Sequence, residues 1–404
     1  MIEARSRRGR SPDLVRLFVL LAAGISIQAV RPTASYRTLE LGGTAVAVGL
    51  VVASSATLSA IAAVPFGRII DRVGPRKFLL GGLTVLTSGA VLSAIAPSVP
   101  ALAGSVGVFG LGQLATVLAL QTITADRSDR YRGFARFTVA AGLGQTLGPL
   151  MAGWLLGLSL SGTLEGRGTT IVFAVAALLG FIGLVVATWG VGRGPAAPEG
   201  SWAGSSVAAP VRTAAPVRTI VRSSGMPQAL TTSVAMHSAV DLLIAYLPVV
   251  GEAREIAPTT IGILLSLRAA SGLLSRMTMT AMLRQVGRRP LLFGAMVVSG
   301  LAVLGIALVS PVWSIAAFMI VAGFGLGIGA PITLAWVAMQ APEGGRGTAM
   351  AVRVTGNRLG QVVLPVAVGG LASVLGPGAV FVFVAGMLLG GAAVVRASPL
   401  GEAT

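Results

Sequence analysis

The chain has 404 residues, 54% of them hydrophobic and 11% charged, with a net charge of +17 and a mean hydropathy of +0.87, which excludes an ordinary soluble domain. Its basic residues punctuate apolar runs instead of gathering on a polar face beside aromatics, so nucleic acid is not an expected partner. With no cysteine and a single histidine, His237, disulfides, thiolate metal sites and imidazole clusters are excluded, and neither a metal nor a cofactor is expected.

The opening Met1 to Ser11 carries Arg5, Arg7, Arg8 and Arg10 ahead of an apolar run. No small-residue cleavage site follows a short apolar core, so the segment reads as the start of an uncleaved first helix. A helix needs about 20 apolar residues to cross a bilayer. Twelve such runs follow, at 14–36, 44–66, 78–96, 99–122, 134–158, 169–190, 226–250, 258–281, 291–310, 311–340, 348–374 and 377–396. Several are parted only by short turns containing proline, as at Ala96-Pro97, Ser310-Pro311 and Gly376-Pro377. The predicted fold class is therefore an all-α integral membrane protein of twelve transmembrane helices, with the lipid bilayer as its medium.

Between the sixth and seventh runs, 193–225 is the one long hydrophilic segment, and it repeats Ala-Ala-Pro-Val-Arg-Thr at 208–213 and 214–219. Such composition cannot bury a core and behaves as a linker. The rest of the chain divides into an N-terminal bundle, 1–192, and a C-terminal bundle, 226–404. The two resemble copies: Val73 to Gly81 matches Val286 to Gly294, Glu40 to Thr44 aligns with Glu255 to Thr259, and Arg132-Gly133 aligns with Arg346-Gly347. Duplication of six spans marks carriers whose pseudo-symmetric halves rock about a central site.

Arginine placement sets the orientation. With both termini in the cytoplasm, nearly every basic residue outside the spans falls inside, and only Arg37, Arg167 and Arg254 fall outside. Five arginines lie within spans: Arg31, Arg268, Arg276, Arg353 and Arg358. Arg276 and Arg353 stand near cytoplasmic span ends and are expected to reach for the interface.

The loop after the second run reads Gly67-Arg-Ile-Ile-Asp71-Arg72-Val-Gly74-Pro-Arg76-Lys77, a charged turn between two apolar spans. It resembles the signature between the second and third helices of the major facilitator superfamily of transporters, as the span count, linker and half-repeats also do. That resemblance implies a gating role for Gly67, Asp71, Arg72, Gly74, Arg76 and Lys77, with the carboxylate set against the N-terminus of the eleventh helix near Gly347. Pro75 stands where the family often has a basic residue, and the second copy has Arg284 in place of the carboxylate. In the fifth span, Gly144, Gly148, Pro149 and Gly153 resemble the motif of drug/proton antiporters, which bends that helix at the contact between halves. The fourth span departs from that branch, because Gln113 follows Gly112 with no basic residue ahead of it.

Ionisable residues inside spans are costly and face a cavity or a partner. Asp241 is the one carboxylate well inside a span, with His237 a turn earlier on the same face and Gln28, beside Arg31, as its counterpart across the repeat. Asp241 reads either as a proton or substrate site or as half of a buried ion pair with Arg268 or Arg358. Gln145, Asn357 and Gln361 add uncharged donors at similar depth, for helix packing or for substrate. The expected activity is secondary transport of a small solute by alternating access, with the proton as coupling ion and efflux as direction. The arginines leave an alternative, uptake of an organic anion, and a non-transporting receptor on the same fold is the reading from another class. No paired carboxylates, phosphate loop or nucleophile elbow marks an enzyme. The resemblance further implies a monomer in the plasma membrane of a bacterium.

Overall fold

A computed structural model of the chain describes residues 3–125, 130–160, 167–190, 217–341 and 346–398. These form thirteen helices and, among the described residues, no strand. The first six are α1 (Glu3–Glu40), α2 (Ala45–Val73), α3 (Pro75–Ala94), α4 (Val99–Ala125), α5 (Arg130–Leu160) and α6 (Gly168–Gly190). The others are α7 (Val217–Val221), α8 (Met226–Ala253), α9 (Pro258–Val286), α10 (Arg288–Leu308), α11 (Val312–Gln340), α12 (Arg346–Leu375) and α13 (Ala379–Arg396). The twelve expected spans fall on the twelve long helices, and α7 is a short helical turn within the segment read as linker. Eleven of the twelve are long and apolar enough to cross a membrane. The twelfth, α9, has the length, at 29 residues, but carries Arg268, Arg276 and Arg284.

One expectation changes here. Gly67 to Lys77 was read as a turn, but α2 continues through Gly67, Asp71 and Arg72 to Val73, and α3 begins at Pro75. The reversal is confined to Gly74, at φ 82° and ψ 153°, a region open to glycine and to few other residues. Pro75 then starts the next helix with its φ already set and no N–H to strand. Gly287 repeats the device between α9 and α10 at φ 81°.

The chain divides into two compact units, 1–42 with 54–205 and 43–53 with 206–404, so the first turns of α2 belong with the second unit. Each unit has the same internal plan. In the first, α1 packs on α5 and α6, and α3 on α4 and α6; in the second, α8 packs on α12 and α13, and α10 on α11 and α13. In each unit, side chains of one helix also bond carbonyls of another. Ser54 Oγ donates to Ala103 O at 2.7 Å, and Ser271 Oγ donates to Ile320 O at 2.6 Å. Ser59 Oγ donates to Gly110 O at 2.9 Å, and Arg276 Nε donates to Gly327 O at 3.2 Å.

Helix ends are closed by arginine in both units. Arg37 donates to Ala96 O just past α3 at 3.2 Å and pairs with Glu40 at 3.1 Å. Arg254 donates to Ile306 O, Ala307 O and Val309 O at the end of α10, at 3.0, 2.8 and 2.8 Å. These are two of the three arginines that break the inside-positive pattern, and both satisfy carbonyls that a helix end leaves without an intrahelical donor. At the other end of the same helices, Arg76 donates to Thr188 O of α6 at 2.8 Å, and Arg289 donates to Arg396 O of α13.

Close helix approach is set by glycine, as between α9 and α11, where a Cβ on Gly323 would overlap the backbone carbonyl of Arg268. Gly294 on α10, by contrast, has nothing within 4 Å of the place a Cβ would take. Gly323→Ala is therefore expected to lower stability on the order of 1–3 kcal/mol through overpacking, and Gly294→Ala to leave it unchanged or slightly raised. Thermal unfolding of the two purified variants in detergent checks this; equal melting temperatures would remove the close-approach argument.

Candidate functional site

α8 is buried along most of its length, because α9, α11, α12 and α13 all pack on it. Polar side chains on such a helix have to find partners in protein rather than water. Ser233 Oγ donates to Asn357 Oδ1 on α12 at 3.1 Å. Two turns on, Asp241 Oδ2 accepts from Gln361 Nε2 at 2.8 Å, and Gln361 Oε1 accepts from Arg358 Nη1 at 3.0 Å. Asn357 and Gln361 lie four residues apart on one face of α12, and Arg358 is three before Gln361, within reach along the helix surface. Gly360 lets α12 come this close, since a Cβ there would stand 2.8 Å from Ser238 Oγ and 2.9 Å from the side chain of Val234.

Asp241, Asn357 and Gln361 are 7%, 8% and 9% exposed, and Arg268 on α9 is 5% exposed. A carboxylate this buried persists only with charge-assisted hydrogen bonds and compensating cations, here an amide backed by a guanidinium. The cluster can thus accept and release a proton at one carboxylate and present amide and guanidinium donors beside it.

Two arginines correct an expectation. Arg276 and Arg353 do not reach for the interface; both turn onto α11. Pro331 lies inside α11, and its missing N–H strands the carbonyl four residues earlier, that of Gly327. Arg276 Nε donates to that oxygen at 3.2 Å, while Arg353 Nη2 donates to Ala330 O at 3.3 Å and to Thr333 Oγ1 at 3.2 Å. Farther along α8, the buried Tyr246 hydroxyl bonds Pro365 O at 2.5 Å and Ala45 O at 3.2 Å, tying α8, α12 and the first turn of α2 within the second unit.

The other predicted residues are placed as follows. His237 is exposed while Asp241 is buried, so the two share a helix face but not an environment. In the first unit Gln28, Arg31 and Gln113 are half-buried, the first two on α1 and the third on α4. Gly144 meets Gly24 and Gly148 meets Gln28 and Ile25, so these contacts are with α1 of their own unit. Pro149 and Gly153 are buried on the same helix. In the second unit Gly356 meets Val234 and Gly360 meets Ser238. Of the 67–77 segment, Arg72 and Lys77 are exposed and Arg76 is bonded to α6; the side chain of Asp71 lies outside the described residues. Missed in the sequence were the pivotal place of Gln361, the partner Ser233, and Tyr246. Gln361 carried a readable signal, three residues after an in-span arginine and four before Pro365.

The sequence model of the Major Facilitator Superfamily matches residues 16–255 and 229–400. The chain belongs to that superfamily. Among similar proteins, the uncharacterized MFS-type transporter YwfA of Bacillus subtilis is 39% identical over 93 residues, 22% of this chain and 22% of the relative. The multidrug resistance protein Stp of Mycobacterium tuberculosis is 30% identical over 110 residues, 26% of this chain and 20% of the relative. The matched stretches thus span about a fifth of each relative's own length. Among solved structures, a D-xylose-proton symporter superposes with a TM-score of 0.77 at 15% identity, covering 97% of this chain and 98% of its own. The likeness to the solved structure is one of fold over nearly the whole chain.

The role given to Arg276 sets an expectation for stability. Arg276→Ala strands the Gly327 carbonyl and is expected to lower stability on the order of 1.5–3 kcal/mol, the range for a hydrogen bond to a charged donor. Arg276→Lys, which keeps one donor, should lose less. Differential scanning fluorimetry of the purified variants reads the order; alanine and wild type melting together would show the bond to be idle.

Proposed function

We propose that the protein is a secondary transporter that moves a small solute by alternating access and is driven by protons taken up at Asp241, running in the direction of export. The observation that carries this is a buried carboxylate inside a membrane-spanning helix, held by the Gln361 amide at 2.8 Å with Arg358 behind it. Intramembrane carboxylates of this kind serve as proton relays in carriers. Export is supported by the antiporter-like spacing of Gly144, Gly148, Pro149 and Gly153 and by the stretch similar to a multidrug resistance protein. Gly67, Asp71, Arg72, Gly74, Arg76 and Lys77 are the proposed gate, with Arg76 also fastening α3 to α6. The superfamily match supports a monomer of two six-helix bundles, 1–192 and 226–404, joined by the linker 193–225, in a bacterial plasma membrane, and the arginine distribution supports cytoplasmic termini.

Arg268 and Arg358 favour a second reading, carriage of an organic anion, because guanidinium holds a carboxylate in a fork. Inverted vesicles containing the purified protein separate the two, with ethidium as cationic probe and benzoate as anionic probe under an imposed pH gradient. The primary reading expects gradient-driven ethidium accumulation that Asp241→Asn reduces at least tenfold. Unchanged flux and unchanged pH dependence in that variant sinks the coupling role, and benzoate uptake without ethidium transport selects the anion carrier.

A further inference from the structure

The contact between Asp241 and α12 runs through an amide whose orientation chemistry dictates. A guanidinium has donors only, so the Gln361 oxygen has to face Arg358 and the Gln361 nitrogen is left for Asp241, as the bonds of 3.0 and 2.8 Å record. The carboxylate therefore has to act as acceptor. Protonation of Asp241 at Oδ2 sets donor against donor; protonation at Oδ1 leaves a neutral bond where a charge-assisted one stood, and such bonds are roughly half as strong. In both cases the tie between α8 and α12 weakens.

It weakens where α12 is least supported. Pro365 sits inside α12 and strands the backbone carbonyl of Gln361, four residues before it. Gly360 is the neighbouring residue. On the far side of this break Tyr246, which does not titrate near neutrality, keeps hold of Pro365 O. The second half of α12 is thus pinned to α8 by a phenol, and the first half by the neutral Ser233–Asn357 bond together with a link that depends on charge.

We propose that Gln361 is the positioning residue that reports the protonation of Asp241 to α12: the ionised carboxylate holds the first half of α12, 346–360, against α8, and proton uptake frees it to swing about the Gln361–Pro365 break. This rests on the reading of Asp241 as the proton carrier. The helices packed on α8 are α7, α9, α11, α12 and α13. Their ionisable residues are Arg218; Arg268, Arg276 and Arg284; Arg346, Arg353 and Arg358; and Arg396, with none on α11. On α8 itself stand His237 and, near its end, Glu252. Arginine stays charged at any working pH, so of these groups Asp241, His237 and Glu252 are the ones that can gain or lose a proton.

The chain has no cysteine, so spin labels attach only where cysteine is introduced. One pair, Thr231→Cys with Ala351→Cys, reads the first half of α12 against α8; the other, Ala253→Cys with Leu375→Cys, reads the second. In lipid vesicles at pH 8 and pH 5, electron–electron distance measurement should show the first pair shifting and the second constant. Infrared difference spectra between the two pH values should show a protonated-carboxyl band that Asp241→Asn removes. Gln361→Met, close to glutamine in size, should keep that band yet hold the first pair at its low-pH distance throughout. Arg358→Met, which frees the amide to turn, should also shrink the shift, and His237→Gln should preserve it. If Gln361→Met retains both band and shift, the inference is overturned while the proton-carrier reading stands. If the shift disappears in His237→Gln with the band intact, the switch is the histidine and the inference is overturned. A band that survives in Asp241→Asn overturns the proton-carrier reading and the inference with it.

Discussion

Hydrocarbon offers no water to a carbonyl that has lost its helical partner, and this constraint organises the molecule. A helix end strands its last carbonyls, and a proline inside a helix strands one more. Arg37 and Arg254 close the ends of α3 and α10, Arg76 and Arg289 bond the last turns of α6 and α13, and Arg276 fills the gap opened by Pro331. Part of the positive charge that biases the composition is thus spoken for by backbone oxygen. A substrate anion has fewer guanidinium groups to meet than the residue count implies.

What is left in the second unit is a short polar seam between α8 and α12. Glycines 356 and 360 bring the helices together, serine and asparagine close one level, and carboxylate, amide and guanidinium close the next. The first unit keeps the same packing of α1 on α5 but has Gln28 and Arg31, and no carboxylate, within 14–36. The duplicated frame is symmetric and its chemistry is not.

The fold was legible because its signals are long: twelve apolar runs of helix length and matched segments 213 residues apart, as with Gly74 and Gly287, outweigh local ambiguity. The site was legible only in part. Asp241, Asn357 and Arg358 announce themselves as polar residues in apolar runs, but the partner of each depends on how two helices rotate about their axes, which periodicity does not state. The turn at 67–77 was overread because charge at a membrane surface resembles a loop, whereas α2 simply continues past the apolar zone as far as Gly74. Arg276 was read as reaching outward because nothing in α9 mentions Pro331, a feature of a different helix.

The bond from Arg276 to the Gly327 carbonyl has a historical consequence. A lineage that acquired Pro331 before the long basic side chain would have carried an orphaned oxygen within a membrane-length helix, whereas the opposite order strands none.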